Sequence, residues 1–481
     1  MAASGEDAAM TRPAVSGPLD RYIEGAYAPI ETEIDVAELR VLEGDVPDEL
    51  AGAYFRNGPN PRFDPPGRHH WFDGDGMIHA VSFRDGKASY RNRYVRTAGL
   101  AEEEAAGRAL WRGVMDPPRR DRPDMPLKDT ANTDVAMHGG RLVANWYLCG
   151  RSYALDPTTL ATRGPLDAPF RISAHPKVDP VSGEMMIFGY GVEAPYMHHG
   201  VLGADGKLTH ATPIDLPGPR LPHDMAITER FSILHDLSLF HDAEALKAGR
   251  HKLRFHPEIA TRFGILPRHG DGGAIRWFEV EPCFLYHVVN AWEEGERVIM
   301  VGCRYEPPRD AQGAIDCERF AAMIAGLEMD ARLYRWEFDL ATGTANEFYL
   351  DPKINAEFPC VDPARVGRPT RYGFAMLCRN RPAFYHPGLL KYDLDTGQSE
   401  AWTTSGLMFS EAQFVPHPDA VREDEGWLVT LAVRSRDLGS EVQVFEARDL
   451  ALGPVVRLEI PQRVPAGFHA CWATPQQLGW R

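Results

Sequence analysis

Apolar and polar residues alternate in short runs along most of this chain, with turn residues between the runs and little helical periodicity. Leu333-Tyr-Arg-Trp-Glu-Phe-Asp339 is one such run, and it leads directly into Leu340-Ala-Thr-Gly343, the pattern of a half-buried strand entering a tight turn. The same signal recurs at Phe83-Arg-Asp-Gly-Lys87, Leu155-Asp-Pro-Thr-Thr-Leu160, Ala204-Asp-Gly-Lys207, Leu394-Asp-Thr-Gly397 and Ala447-Arg-Asp-Leu450. Asp-Gly between alternating runs marks a β-hairpin. Six hairpins spread over the chain predict repeated antiparallel sheets. A β-propeller stacks such sheets around a central channel and leaves only short edges, whereas an array of two or three β-sandwich domains would use the same hairpins. Two stretches have helical spacing, 102–112 and 319–329, and are expected to cap the sheets. Residues 1–18 carry no periodicity and are expected to form a disordered tail, with order beginning near Tyr22. Residues 19–481 are then expected to form a single propeller domain with cap insertions.

One strand stands out. Glu281-Pro-Cys-Phe-Leu-Tyr-His287-Val-Val-Asn-Ala-Trp292 is apolar, aromatic and β-branched through its middle and carries a single histidine. A buried imidazole is either a hydrogen-bonded core residue or a metal ligand, and the second reading requires partners.

Composition narrows the field. A chain of 481 residues exceeds the usual single-core size, which favours several domains unless a toroid lets each blade bury its own layer. The formal net charge of −16 argues against a nucleic-acid partner. Glu6 and Asp7 disfavour a basic targeting segment, and no apolar run approaches the roughly 18 residues of a membrane span. Seven scattered cysteines without a Cys-x-x-Cys pair fit reduced thiols and a cytoplasmic location, with Cys283 and Cys303 in the core.

Three histidines share the setting of His287: His175 in Ser-Ala-His-Pro-Lys, His223 in Leu-Pro-His-Asp-Met, and His469 in Ala-Gly-Phe-His-Ala. The separations of 48, 64 and 182 residues exclude a local metal finger and suit ligands donated by different blades to one axis. Four neutral imidazoles suit iron, copper, nickel or zinc. Four histidines would close a tetrahedral zinc, whereas an octahedral ferrous ion would keep two positions open. His79 and His235 compete for the same role on local composition. The pairs His69–His70 and His198–His199 sit in polar text and are expected at the surface.

The ordered motifs resemble those of the carotenoid cleavage oxygenases. They are Tyr54-Phe-Arg-Asn-Gly-Pro-Asn-Pro61, His70-Trp-Phe-Asp-Gly-Asp-Gly-Met-Ile-His79, Tyr90-Arg-Asn-Arg-Tyr-Val-Arg-Thr97, Ala131-Asn-Thr133, Ala174-His-Pro-Lys177, Arg276-Trp-Phe278, His287-Val-Val-Asn-Ala291 and Arg463-Val-Pro-Ala-Gly-Phe-His469. The resemblance implies an all-β, seven-bladed propeller with a helical and loop cap over the substrate entrance. It also implies one non-haem Fe(II) per chain on His175, His223, His287 and His469, and it does not extend to His79 or His235. Glu357 and Glu411 match outer-shell glutamates that would accept the second ring N–H of iron ligands. Where the family usually places a third glutamate, this chain reads Asn145-Trp-Tyr-Leu-Cys-Gly150, and Tyr147, a water or a carbonyl would have to stand in.

The activity so implied is cleavage of a carbon–carbon double bond, with dioxygen as co-substrate and two carbonyl products. No organic cofactor is needed, because the alkene supplies the electrons, and no Ser-His-Asp pattern, Walker loop or dinucleotide fingerprint is present. The stilbenoid and phenylpropene branch carries a Lys-Glu pair where this chain has Trp146-Tyr147. Its absence favours a carotenoid or apocarotenoid and places Trp146 and Tyr147 at the pocket wall. The charged segment 240–256 is shorter than the apolar insertion of membrane-extracting relatives, which keeps a phenolic alkene as the alternative. A peripheral membrane contact for uptake stays open, and no obligate protein partner is implied. A non-catalytic propeller binding module is the reading from another class.

Overall fold

Every one of the six turn signals joins two antiparallel neighbours in the computed structural model, which describes residues 20–148, 150–247, 252–380 and 383–480. Asp85 and Gly86 link Gly76–Arg84 to Lys87–Tyr94, both with positive φ (51° and 68°), as a two-residue turn matched to strand twist requires. The proposed tail, residues 1–18, lies outside the described residues, as does Cys149.

Seven antiparallel sheets form a seven-bladed β-propeller. Sandwich packing is thereby excluded, and the number of blades matches the family expectation. One strand forms the axial edge of each blade, the first of its sheet in five blades and a later strand in the last two. In chain order these are Asp134–His138, Lys177–Val178, Ala226–Ile227, Leu285–Glu294, Ala356–Cys360, Gln413–Pro416 and Ala470–Ala473. Hydrophobic patterning follows position in the blade. Leu285 to Trp292 is buried at every residue, whereas the outer strand Ser399–Thr403 alternates, as expected where one face meets solvent. Facing blades share a dry layer in which Phe263 packs on Trp336 at 5.3 Å and on Phe338 at 5.6 Å.

Two seams close the ring. Ala470–Ala473 pairs with Gly52–Pro59, and Pro454–Ile460 pairs with Arg40–Glu43. The first seam positions His469, whose carbonyl accepts from Asn57 N at 2.9 Å and whose N–H donates to Thr133 O at 3.2 Å.

The helices differ in register from the sequence reading. Helix α1 is Ala98–Ala106, capped by Thr97 and stopped at Gly107, φ +67°. Helix α2, Ala243–Lys247, lies where no helix was expected. Helix α3 is Cys317–Ala325, with the Asp316 carboxylate accepting from Arg319 N and Gly326 at its end. Caps and glycines set both boundaries, and these signals override the apolar spacing. Helix α3 presses on the axial end of the ring, where Tyr286 donates its hydroxyl to Ile324 O at 3.1 Å.

The paired histidines correct the sequence reading. His69 (3% exposed), His70 (4%) and His199 (0%) are buried. His70 Nδ1 accepts from Phe72 N and its Nε2 meets Ala325 O at 3.1 Å, and His199 Nε2 meets Ser232 Oγ at 2.9 Å. Polar flanking text concealed these tertiary partners. Cys283 and Cys303 are fully buried, as expected.

Candidate metal centre

The axial strands bring four imidazoles together. His175 and His223 precede Lys177–Val178 and Ala226–Ile227, His287 lies inside Leu285–Glu294, and His469 immediately precedes Ala470–Ala473. One ligand atom from each lies within 4.8 Å of the others, and all four residues are buried. The rings stand edge to face or tilted, with centroids 4.4 Å apart for His175–His469 and 4.7 Å for His175–His223 and His287–His469. His79 and His235 lie outside the cluster. His79 Nδ1 meets the Tyr90 hydroxyl at 2.7 Å, and His235 packs its ring on Phe263 at 5.1 Å.

The nitrogens themselves fit a metal. His175 Nε2 and His287 Nε2 are buried without a hydrogen-bond partner among the described residues, an arrangement that costs free energy unless another electrophile is supplied. Burial, followed by the neighbouring imidazoles, pushes His175 and His223 well below the usual histidine range, so both present neutral lone pairs. Burial is the largest influence on His469 and would lower it, but the carboxylates of Glu411, Asp134 and Asp224 together turn the net shift upward.

The two glutamates read from the sequence stand behind two of these rings. Glu357 Oε2 is hydrogen-bonded to His287 Nδ1 and accepts from Phe358 N at 2.8 Å. Glu411 Oε2 meets His469 Nδ1 at 3.0 Å and accepts from Ala470 N at 2.8 Å. Each bond makes Nδ1 the protonated nitrogen and directs Nε2 inward.

His223 differs. Its Nδ1 is buried without a hydrogen-bond partner among the described residues, and its ring lies between Tyr147 (4.1 Å, 61°) and Tyr286 (4.5 Å, 78°). Tyr147 therefore meets His223 through a ring contact. Trp146 donates Nε1–H to Phe72 O at 3.1 Å and lines a separate cavity.

Two carboxylates at the site went unread in the sequence. Asp134 Oδ2 accepts from His175 N at 3.0 Å and holds His175 at φ +63°, a left-handed conformation that costs roughly 1 kcal/mol or more for a non-glycine residue. Asp224 accepts from Val288 N at 2.8 Å and pairs with Lys177 at 2.7 Å. Only adjacency to Ala131-Asn-Thr133 and to His223 could have flagged them.

The centre has two different sides. A cavity of about 300 Å³ is lined by His175, His287 and His469 together with polar groups such as Lys177 and Gln413. Toward the cap, Phe358 packs 5.2 Å from His287 and 5.1 Å from His469, Phe72 packs 5.3 Å from Tyr147, and Trp71 packs 3.9 Å from Phe468. A metal here would face an aromatic wall suited to a flat apolar molecule.

Comparison with known proteins agrees with this geometry. Residues 27–474 match the retinal pigment epithelial membrane protein family. The chain is 34% identical to the carotenoid 9,10(9′,10′)-cleavage dioxygenase of Crocus sativus, over 96% of this chain and 90% of that protein. It is 31% identical to the isoeugenol monooxygenase of Pseudomonas nitroreducens, over 94% and 98%. The crystal structure of Pseudomonas brassicacearum lignostilbene dioxygenase superposes with a TM-score of 0.83 at 29% identity, covering 96% of this chain and all of that one.

Proposed function

The chain belongs to the retinal pigment epithelial membrane protein family, the carotenoid cleavage oxygenases, and is an alkene-cleaving oxygenase; from that premise we propose that it splits a carbon–carbon double bond of a carotenoid or apocarotenoid into two carbonyl products. His175, His223, His287 and His469 would hold one Fe(II), with residues 19–481 acting as one catalytic unit beneath its helical cap. The carrying observation is the convergence of four buried imidazoles, two of them with inward nitrogens that have no partner among the described residues, beside an aromatic wall.

Bound ferrous iron would supply the activation of dioxygen. The protein's part is orientation. Glu357 and Glu411 keep the protons of His287 and His469 on Nδ1, which frees Nε2 for the metal. Phe72, Tyr147 and Phe358 offer ring faces and edges against which a planar polyene can lie, and each buried Å² of apolar area contributes roughly 25 cal/mol. No acid–base pair is required, since both oxygen atoms leave in carbonyl groups.

The rival substrate class is the phenolic alkene, favoured by the likeness to isoeugenol monooxygenase and lignostilbene dioxygenase. Against it, Trp146 and Tyr147 offer bulk and one hydroxyl but no ammonium. Product mass spectrometry after incubation with β-apocarotenals and, separately, hydroxystilbenes decides between the two. Cleavage confined to hydroxystilbenes would reverse the assignment. Trp146→Ala is expected to change the preferred polyene length while iron content stays at one per chain. Unchanged length preference would remove Trp146 from the substrate wall.

The unpartnered Nδ1 of His223 makes a second expectation. Tyr147→Glu supplies an acceptor beside that ring and should slow chelator extraction of bound iron about tenfold, with Tyr147→Phe leaving the rate unchanged. Equal extraction rates for the glutamate variant and the parent protein would show that His223 is already held as firmly as its neighbours.

A further inference from the structure

Two non-glycine residues with positive φ belong to the metal centre itself, His175 (63°) and Phe358 (51°), and a third, Ala131 (47°), lies three residues before Asp134. Strain of this kind persists only where the surroundings impose it. Asp134 accepts from His175 N, and Glu357 accepts from Phe358 N. For Ala131 the restraint comes from Asn57. Asn57 Nδ2 donates to Ala131 O at 2.8 Å and to Asp134 O at 2.9 Å, which gathers 131–134 around one amide. Asn57 is 0% exposed, and its Oδ1 has no partner among the described residues. These two donations are therefore what the side chain contributes, and they satisfy two buried carbonyls.

The segment held in this way reaches two ligands. Asp134 Oδ2 accepts from His175 N at 3.0 Å, and Thr133 O accepts from His469 N at 3.2 Å. The backbone of Asn57 meets the same His469 segment from the other side, donating to His469 O and accepting from Phe468 N, both at 2.9 Å. Its neighbour Arg56 donates to Pro465 O at 2.7 Å, and a Cβ at Gly467 would collide with Arg56 Nη1. Asn57 thus joins the segment that carries His469 to the residues that anchor His175. The two rings lie 4.4 Å apart.

Ring closure alone does not account for this amide. Gly52–Pro59 and Ala470–Ala473 pair through their backbones, and Nδ2 takes no part in that ladder. We propose that Asn57 is a positioning residue for the metal: by holding 131–134 in its strained shape, it sets where His175 and His469 stand relative to each other. The role is exerted at a distance, since Asn57 is not among the residues whose ligand atoms converge. It rests on the metal-binding reading above.

The test uses the full chain loaded with Co(II), whose visible bands report coordination geometry, and separately with Fe(II) under chelator challenge. Asn57→Leu keeps a similar size and removes both donations. It is expected to shift the Co(II) bands and to release iron about tenfold faster, as loss of a group supporting a ligand does. Glycine adopts the left-handed region without strain, so Asn57→Leu/Ala131→Gly should bring release back to within about threefold of the parent. Asn60→Leu controls for stability alone, because Asn60 is 1% exposed and its amide donates to Ile30 O at 2.7 Å, outside both ligand segments. It should lower the Tm of the metal-free chain comparably and leave bands and release as in the parent. Where Asn57→Leu fails to fold, Asn57→Ser, with a donor of shorter reach, carries the comparison and should release iron at an intermediate rate. Parent-like bands and release in the Asn57 variant, at a lowered Tm, overturn the proposal, and so does a double variant without recovery. A parent chain that takes up neither Co(II) nor Fe(II) overturns the metal reading and the positioning role with it.

Discussion

His287→Ala is expected to lose the metal and turnover together. The residue lies on a strand buried from Leu285 to Trp292, its Nδ1 tied to Glu357 and its Nε2 without a partner among the described residues. Removing the ring leaves three inward imidazoles and a fully buried carboxylate whose only remaining partner among the described residues is Phe358 N. Leaving a buried carboxylate short of its main hydrogen-bond donor costs free energy, so a loss of metal could come from unfolding alone. The double variant His287→Ala/Glu357→Gln removes the stranded charge and should melt closer to the parent protein, yet still bind no iron. His235→Gln is the matched control, because His235 is equally buried, at 1% exposure, and lies outside the ligand cluster. Metal analysis and oxygen uptake on these variants are decisive. Stoichiometric iron with turnover in His287→Ala would dismiss the residue as a ligand.

The sequence carried the blades and the four clustered histidines for a physical reason. Two-residue turns need positive φ, so Asp85-Gly86 announces itself locally, and a histidine inside a wholly apolar strand such as Leu285–Glu294 is conspicuous against its neighbours. Glu357 and Glu411 were legible through the motifs around them. Asp134 and Asp224 were not, because an aspartate beside a strand start reads the same whether it faces solvent or accepts from His175 N or Val288 N. Helix boundaries followed caps at Thr97 and Asp316 more closely than apolar spacing. His69 and His70 were read as surface residues for a related reason: polar flanks describe the chain's neighbours in sequence, whereas their burial comes from elements far along it, such as Ala325.

Charge balance in the centre leads to the last prediction, on Glu357 and Glu411. Four neutral imidazoles do nothing to offset the two positive charges of a divalent ion, and a buried site pays heavily for uncompensated charge. Asp224 is engaged with Lys177, and burial pushes Asp134 up toward its neutral form. Glu357 and Glu411 remain as the two carboxylates bonded to ligand rings, one behind His287 and one behind His469. Glutamine at either position can keep an amide oxygen where Oε2 accepts from both donors, but it removes the charge. Each single replacement is expected to weaken iron retention or slow turnover by about 10–100-fold. Glu357→Gln should be the more severe, since Glu357 is 0% exposed whereas Glu411 is 7% exposed and lines the open cavity. The double replacement leaves the ion with no compensating carboxylate on a ligand ring and should lose more than the product of the two single effects. Chelator challenge followed by metal analysis reads retention independently of activity. Retention equal to the parent protein in the double variant would show that the carboxylates only position rings, and that the charge of the ion is met elsewhere.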